Sequence, residues 1–242
     1  MSTLFTFGQK RISLFFLFSA IFFLFFSAPK TRASATELPI DASAYKFARL
    51  TLGHDLITPE EIMRTYRGVV YTEAQLDGFK NSVPSEEVIL WCRDNGFLLI
   101  AGPTKPLSFL EIGDLNHSCT TINERFAHDD KVGIGWLMIR KGAIKGSFSK
   151  DLAEQTALLS RLEYVPNVAE IAWASYIYGA VRRVYLVPNL RFVRTSSVSC
   201  LGHHASIGFF GHGPLFFPHY IDSDRQSPLG IISARKKLKS GS

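Results

Sequence analysis

The sequence predicts a single α+β domain with a helix-rich N-terminal half and an antiparallel, strand-rich C-terminal half. Three observations carry that expectation. Helix-start signatures cluster between residues 58 and 86, and runs of β-branched and aromatic residues dominate after residue 184. Neither a repeat nor a long linker separates these two parts. The chain has 242 residues, 46% of them hydrophobic, which is enough for one sizeable core.

Residues 1–35 read as a signal peptide or signal anchor. Lys10 and Arg11 precede an unbroken apolar run over 12–28, Pro29 ends it, and Ala33-Ser34-Ala35 offers small residues for cleavage. As a helix, that run would rise about 25 Å, somewhat short of a ~30 Å hydrocarbon core. Lys30 and Arg32, between the run and the cleavage site, suit an uncleaved anchor better. The expected location is therefore secreted or periplasmic, or alternatively membrane-anchored through residues 12–28. Residues 36–45 form a linker, 46–234 the α+β domain, and 235–242 a basic C-terminal tail.

Within the domain, Thr58-Pro59-Glu60-Glu61 opens a helix that stops near Gly68, and Thr72 with Gln75 opens a second, to about Phe79. Ser85 caps a third helix over 86–95, ended by Gly96 in the left-handed position. Residues 97–101 form a short buried strand, 108–114 a short helix, and 131–140 a further strand. An amphipathic helix is expected over 149–160. Asn167 and Glu170 then make a capping box that opens a helix to about Arg183, apolar around most of its circumference and therefore central. Strands follow over 184–187, 190–198 and 205–210. A turn at Gly211-His212-Gly213-Pro214 joins the last of these to a strand over 215–220.

The formal charge of +6 is a property of the ends. Residues 1–35 hold four basic residues and no acid, and Arg235, Lys236, Lys237 and Lys239 crowd the last eight positions. Residues 36–234 carry 19 basic residues against 21 acidic. A nucleic-acid-binding domain is not expected from that distribution.

Candidate chemistry is sparse. Cys200, His203, His204, His212 and His219 fall close together, and thiolate and imidazole are zinc ligands, so His203, His204 and His212 are candidates for a metal. No standard ligand spacing is present, and ordinary surface and turn histidines are the commoner explanation for such a cluster. Cys119 with His117, and Cys200 with His203, are candidates for thiol catalysis, which needs an imidazole held against the sulfur. Cys119 and Cys200 could instead form a disulfide in an oxidising compartment. Glu124, Asp129, Asp130 and Glu170 are candidates for a carboxylate pair, although Glu170 already serves its capping box. No Gly-x-Ser-x-Gly or phosphate-loop pattern occurs, and no cofactor is expected.

The stretches Pro84-Ser85-Glu86-Glu87-Val88 to Trp91, Val132 to Lys141, and residues 163–173 with Val165-Pro166-Asn167 resemble a set of uncharacterised bacterial exported proteins. That resemblance implies a bacterial origin and no activity. The expected function is a binding or interaction module, exported or membrane-tethered. The alternative is an extracytoplasmic hydrolase with a Cys/His or carboxylate site.

Overall fold

The structure is a computed structural model that describes residues 44–115, 123–187, 191–209, 215–218 and 220–236. Residues 1–43, with the expected signal peptide or anchor, and His117, Cys119, His212 and His219 lie outside the described residues. The fold is mixed α+β, with helices mostly in the N-terminal half and strands in the C-terminal half, as the sequence predicts. Among the described residues no helix is long and apolar enough to cross a membrane.

The larger sheet is built on β2 (Phe97–Ala101), whose five residues are all buried. A strand buried throughout needs cover on both faces. It lies between β1 (Leu56–Ile57), parallel to it, and β5 (Trp136–Arg140), antiparallel to it; β11 (Ala234–Arg235) and β6 (Glu163–Tyr164) complete the order β1-β2-β5-β11-β6. Trp91 of α4 (Glu86–Asp94) stacks on Phe97 at 4.8 Å, which puts α4 on the face of Phe97, Leu99 and Ala101. On the opposite face Tyr164, in line with Ala234 and Leu98, hydrogen-bonds to Glu170 of α8 (Val168–Arg182) at 2.6 Å.

Helix α8 is the central element that its sequence announces. The Asn167–Glu170 capping box forms, Arg183 closes the helix in the left-handed conformation, and eight of its residues are buried. Trp173 donates its indole N–H to the carbonyl of Ala101 at 3.0 Å, pinning the helix to the end of β2. Its far end is fixed electrostatically. Arg182 and Arg49, the latter on α1 (Lys46–Leu52), both clamp Glu61 of α2 (Pro59–Thr65), at 2.8 and 2.5 Å. Burial pushes the Glu61 carboxyl up, but hydrogen bonds from Arg49, the Thr58 N–H and Arg182 outweigh it and leave it below its ordinary value. The Thr72 capping box also forms, opening α3 (Glu73–Asn81).

Several elements differ from the sequence-based expectation. The strand expected over 131–140 is broken into β4 (Lys131–Val132) and β5, because residues 133–135 fold against Gly102. A side chain at Gly102 would meet the Gly133 and Gly135 carbonyl oxygens at 2.5 and 2.6 Å, so the turn closes only over glycine. β4 pairs instead with β3 (Leu107–Ser108), just before α5 (Phe109–Leu115). The helix expected over 149–160 is α7 (Leu152–Thr156) alone. Ser149 has φ +60°, which is incompatible with a helix start, and Asp151 supplies the capping box two residues later. Residues 184–187 are bends rather than a strand, following the left-handed cap at Arg183. Arg235, expected in a basic tail, is buried in β11 with its guanidinium 4.9 Å above Trp91.

A second sheet, ordered β10-β7-β8-β9, contains β7 (Phe192–Val198), β8 (His204–Phe209), β9 (Leu215–Phe216) and β10 (Leu229–Ile231). β7 and β8 are antiparallel, and β10 is parallel to β7.

Glu61→Gln should lower stability by about 2 kcal/mol, the scale of hydrogen bonds to a charged group. The folded carboxyl titrates below its ordinary value, so its contribution is full above pH ~4.3 and disappears as pH falls through the lower folded value. Urea midpoints measured from pH 7 down to pH 3 should therefore differ at neutrality and converge in acid. Equal midpoints at pH 7 would show that the clamp contributes nothing.

Candidate functional site

The most developed polar site lies along the outer edge of β8. β9 pairs with β8 only through Gly208↔Phe216 and Phe209↔Leu215. Continuing that register sets Pro218 opposite Ser206. Proline has no N–H to give the ladder, so pairing cannot continue there. Phe217, Pro218 and Tyr220 stand off from the β8 edge, and a cleft of about 340 Å³ opens there, lined among others by Glu124, Phe126, His204, Ser206, Phe217 and Tyr220. Its apolar wall is well supported. Phe217 packs edge-on to Phe109 at 4.9 Å and leans on Phe126 at 6.1 Å, while Tyr220 lies 6.2 Å from Phe192.

His204 is held by Asp222. Both carboxylate oxygens are engaged, one accepting the His204 main-chain N–H at 2.9 Å and the other facing ring Nδ1 at 3.0 Å. A carboxylate opposite Nδ1 fixes the neutral ring as the Nδ1–H tautomer and leaves Nε2 as an acceptor. Burial pushes the Asp222 carboxyl up, but the hydrogen bonds from His204 prevail and hold it below its ordinary value.

Asp222 is positioned in turn by Arg194. This β7 residue is completely buried, and its guanidinium donates to Gln155 Oε1 at 2.8 Å and to the carbonyls of Ile221 and Asp224, each at 2.9 Å, that bracket Asp222. Burial drives the Arg194 guanidinium down from its ordinary value, against the opposing pull of Asp222, Asp224 and Asp151. Gln155, also fully buried, donates to the Ser147 and Leu229 carbonyls, so the network ties α7 to β7 and β10. Two buried polar atoms of this face are left without partners: Arg194 Nε, and the Oγ of Ser206 directly across the strand pair.

Cys200 is exposed and carries a free thiol, and its neighbour is a carboxylate rather than an imidazole. Its N–H and Sγ both donate to Glu124, at 2.8 and 3.3 Å. The hydrogen bond to Glu124 raises the thiol above its ordinary value, the opposite of what a thiolate nucleophile needs. His203 occupies the turn before β8, where its carbonyl accepts from Ser199. Among the described residues no group of three or more His, Cys, Asp or Glu side chains is placed to hold a metal ion. Of the other carboxylates, Asp129 pairs with Arg125 at 2.7 Å, Asp130 accepts from the Ser197 hydroxyl, and Glu170 serves its cap and Tyr164.

His204 and Glu124 are thus brought to one cleft from residues that the sequence singles out. Asp222, Ser206, Tyr220 and Arg194 carry no local signature and emerge only from strand register and loop closure. No family model, curated protein or solved structure matches the chain.

Two outcomes test this description. Glu124→Gln removes the negative charge beside Cys200, so alkylation of Cys200 by iodoacetamide, followed by mass spectrometry, should begin at lower pH than in the wild type. An unchanged pH profile would mean that Glu124 does not control the thiol. Arg194→Lys cannot serve the same four acceptors, Gln155 Oε1 and the Lys150, Ile221 and Asp224 carbonyls, and should cost about 3 kcal/mol in denaturant unfolding, with faster amide exchange at Asp222 and Asp224. Wild-type stability would refute the role given to Arg194.

Proposed function

We propose that the protein is an exported or membrane-tethered bacterial binding module whose ligand seats in the cleft along β8. One observation carries this reading: the sheet stops pairing at Pro218 and leaves an aromatic-walled cleft, with an oriented imidazole and a buried, partnerless Ser206 hydroxyl on its lining. Concave sites of this kind, mostly apolar with a few fixed polar groups, are the usual form of a ligand pocket. Exposed Val198, Leu201 and Ile221 surround the same end of the sheet and add apolar surface for a partner. Export rests on the basic start, the apolar run over 12–28 and Ala33-Ser34-Ala35.

A second reading, an extracytoplasmic hydrolase, is favoured by the His204–Asp222 dyad, since a carboxylate on Nδ1 is how a general base is oriented. Catalysis also needs a nucleophile or an activated water at Nε2. Among the described residues no hydroxyl or thiol is hydrogen-bonded there, and Cys200 is committed to Glu124.

Ser199 lines the rim of the cleft and is half-buried, so Ser199→Trp should plug it without disturbing the core. In a fragment screen read by amide shifts, ligands should move Ser206 and Tyr220 in the wild type and bind at least about tenfold more weakly to the variant. Ligands that bind elsewhere, or equally well to the plugged cleft, would sink the proposal. Turnover of ester, peptide or glycoside reporters that His204→Ala abolishes would favour the hydrolase. Mass spectrometry of the protein from its host, with an N-terminus at Thr36 or an intact Met1 in the membrane fraction, tests export; an intact Met1 in the cytosol overturns it.

A further inference from the structure

The lining of the cleft sets a carboxylate beside neutral groups, those of Asn123, Ser199 and Tyr220, that can donate as well as accept. Among the described residues no lysine or arginine lines it, and Glu124 is the one charged side chain that does. The two Glu124 oxygens each take one bond from Cys200, which leaves about half of a carboxylate's acceptor sites open. His204 presents Nε2 as an acceptor because Asp222 holds the proton on Nδ1. Ser206 is 2% exposed and its Oγ has no partner, a cost that a bound group would relieve. Arg194, across the strand pair, is the nearest buried cation, but it does not line the cleft; its terminal nitrogens are engaged by Gln155, the Lys150 carbonyl and the carbonyls around Asp222, and only Nε is without a partner. Asp222 and Asp224 belong to the loop that its guanidinium binds, so together with Glu124 they make the balance of formal charge around the cleft negative. The remaining walls are the faces and edges of Phe126, Phe217 and Tyr220.

Resting on the reading of this cleft as the binding site, we propose that its ligand presents a primary ammonium group on an apolar stem. An ammonium offers three donors and no acceptor, which complements Glu124, His204 Nε2 and Ser206 Oγ together. Aromatic walls favour the same group through the attraction of a cation to the ring face, and they bury the stem. A phosphate or carboxylate ligand would meet Glu124 with like charge and find no cation to pair with. The shared chemistry could come from a lysine side chain of an extended peptide or from a free alkylamine. A peptide would also reach the β8 edge that Pro218 leaves outside the ladder, and so gain main-chain bonds.

The test uses the full chain and three probes in titrations read by calorimetry and amide shifts: pentylamine, pentanol as its uncharged counterpart, and an acetyl-Gly-Lys-Gly-amide peptide. Pentylamine should bind at the cleft, pentanol about tenfold or more weakly, and Glu124→Gln should weaken pentylamine about fivefold or more while leaving pentanol unchanged. Tighter binding of the peptide than of pentylamine assigns the ligand to a peptide partner, and equal binding to a free amine; both support the proposal. Pentanol binding as tightly as pentylamine, or a Glu124→Gln variant that folds normally by circular dichroism and binds pentylamine unchanged, overturns it. A saccharide or anion that moves Ser206 and Tyr220 and is blocked by Ser199→Trp, while no amine binds, also overturns it and leaves the binding-module reading intact. If no probe or fragment of any class binds the cleft, both readings fall together.

Discussion

A fully buried guanidinium is the constraint around which the C-terminal half is arranged. Arg194 enters the interior because β7 carries it there, and a cation so placed is tolerable only if its donors are answered. The answers come from three separate stretches: Gln155 of α7, the Lys150 carbonyl before it, and the carbonyls of Ile221 and Asp224. Each of those stretches is short or irregular, and none would hold its place through its own hydrogen bonds. The network thus fixes a helix of five residues and a loop of four against the sheet. The His204–Asp222 contact inherits its geometry from that loop. The rigidity of the cleft accordingly originates in a residue paired across the strands from Ser206 rather than in the lining itself.

The N-terminal half solves the same problem at its rim rather than in its interior. Glu61 draws Arg49 and Arg182 onto one carboxylate, joining α1, α2 and the end of α8, and both arginines also satisfy the Leu56 carbonyl at the edge of β1. The apolar centre of this half is conventional: α8 and α4 cover opposite faces of one sheet, with Trp91, Trp136 and Trp173 all engaged. Two halves with different organising principles share β11, β6 and α8, so they behave as one body of packed layers.

Much of this was legible in the sequence where the information is local. Thr58, Thr72 and Asn167 each start a helix through bonds that reach three residues along the chain, and all three capping boxes form. The apolar girth of α8 marks it as central for an equally local reason. What escaped was whatever depends on distant partners. α1 begins at Tyr45 without a side-chain cap, and β1, β6 and β11 are two-residue strands that exist only because β2, β5 and one another lie alongside. Residues 184–187 have strand composition but follow a left-handed cap. At the site, His204 and Glu124 stood out by residue type, whereas their partners Asp222 and Cys200 lie 18 and 76 positions away. Neither pairing corresponds to any spacing a linear pattern could show. Cys200 illustrates the hazard: proximity in sequence suggests His203, and the fold supplies a carboxylate.

Pro218 gives this architecture a binary quality. One imide nitrogen, at the position opposite Ser206, decides whether the second sheet ends in a sealed seam or a mouth. With an ordinary amide there, the 217–220 segment could zip onto β8, satisfying the strand edge with the chain's own backbone and erasing the recess. The proline instead keeps the seam permanently unfastened while the hairpin behind it stays closed. It thereby leaves the β8 edge unpaired by the chain's own backbone and open to a strand from outside. The same residue type that guards sheets against promiscuous association here also preserves a vacancy for something specific.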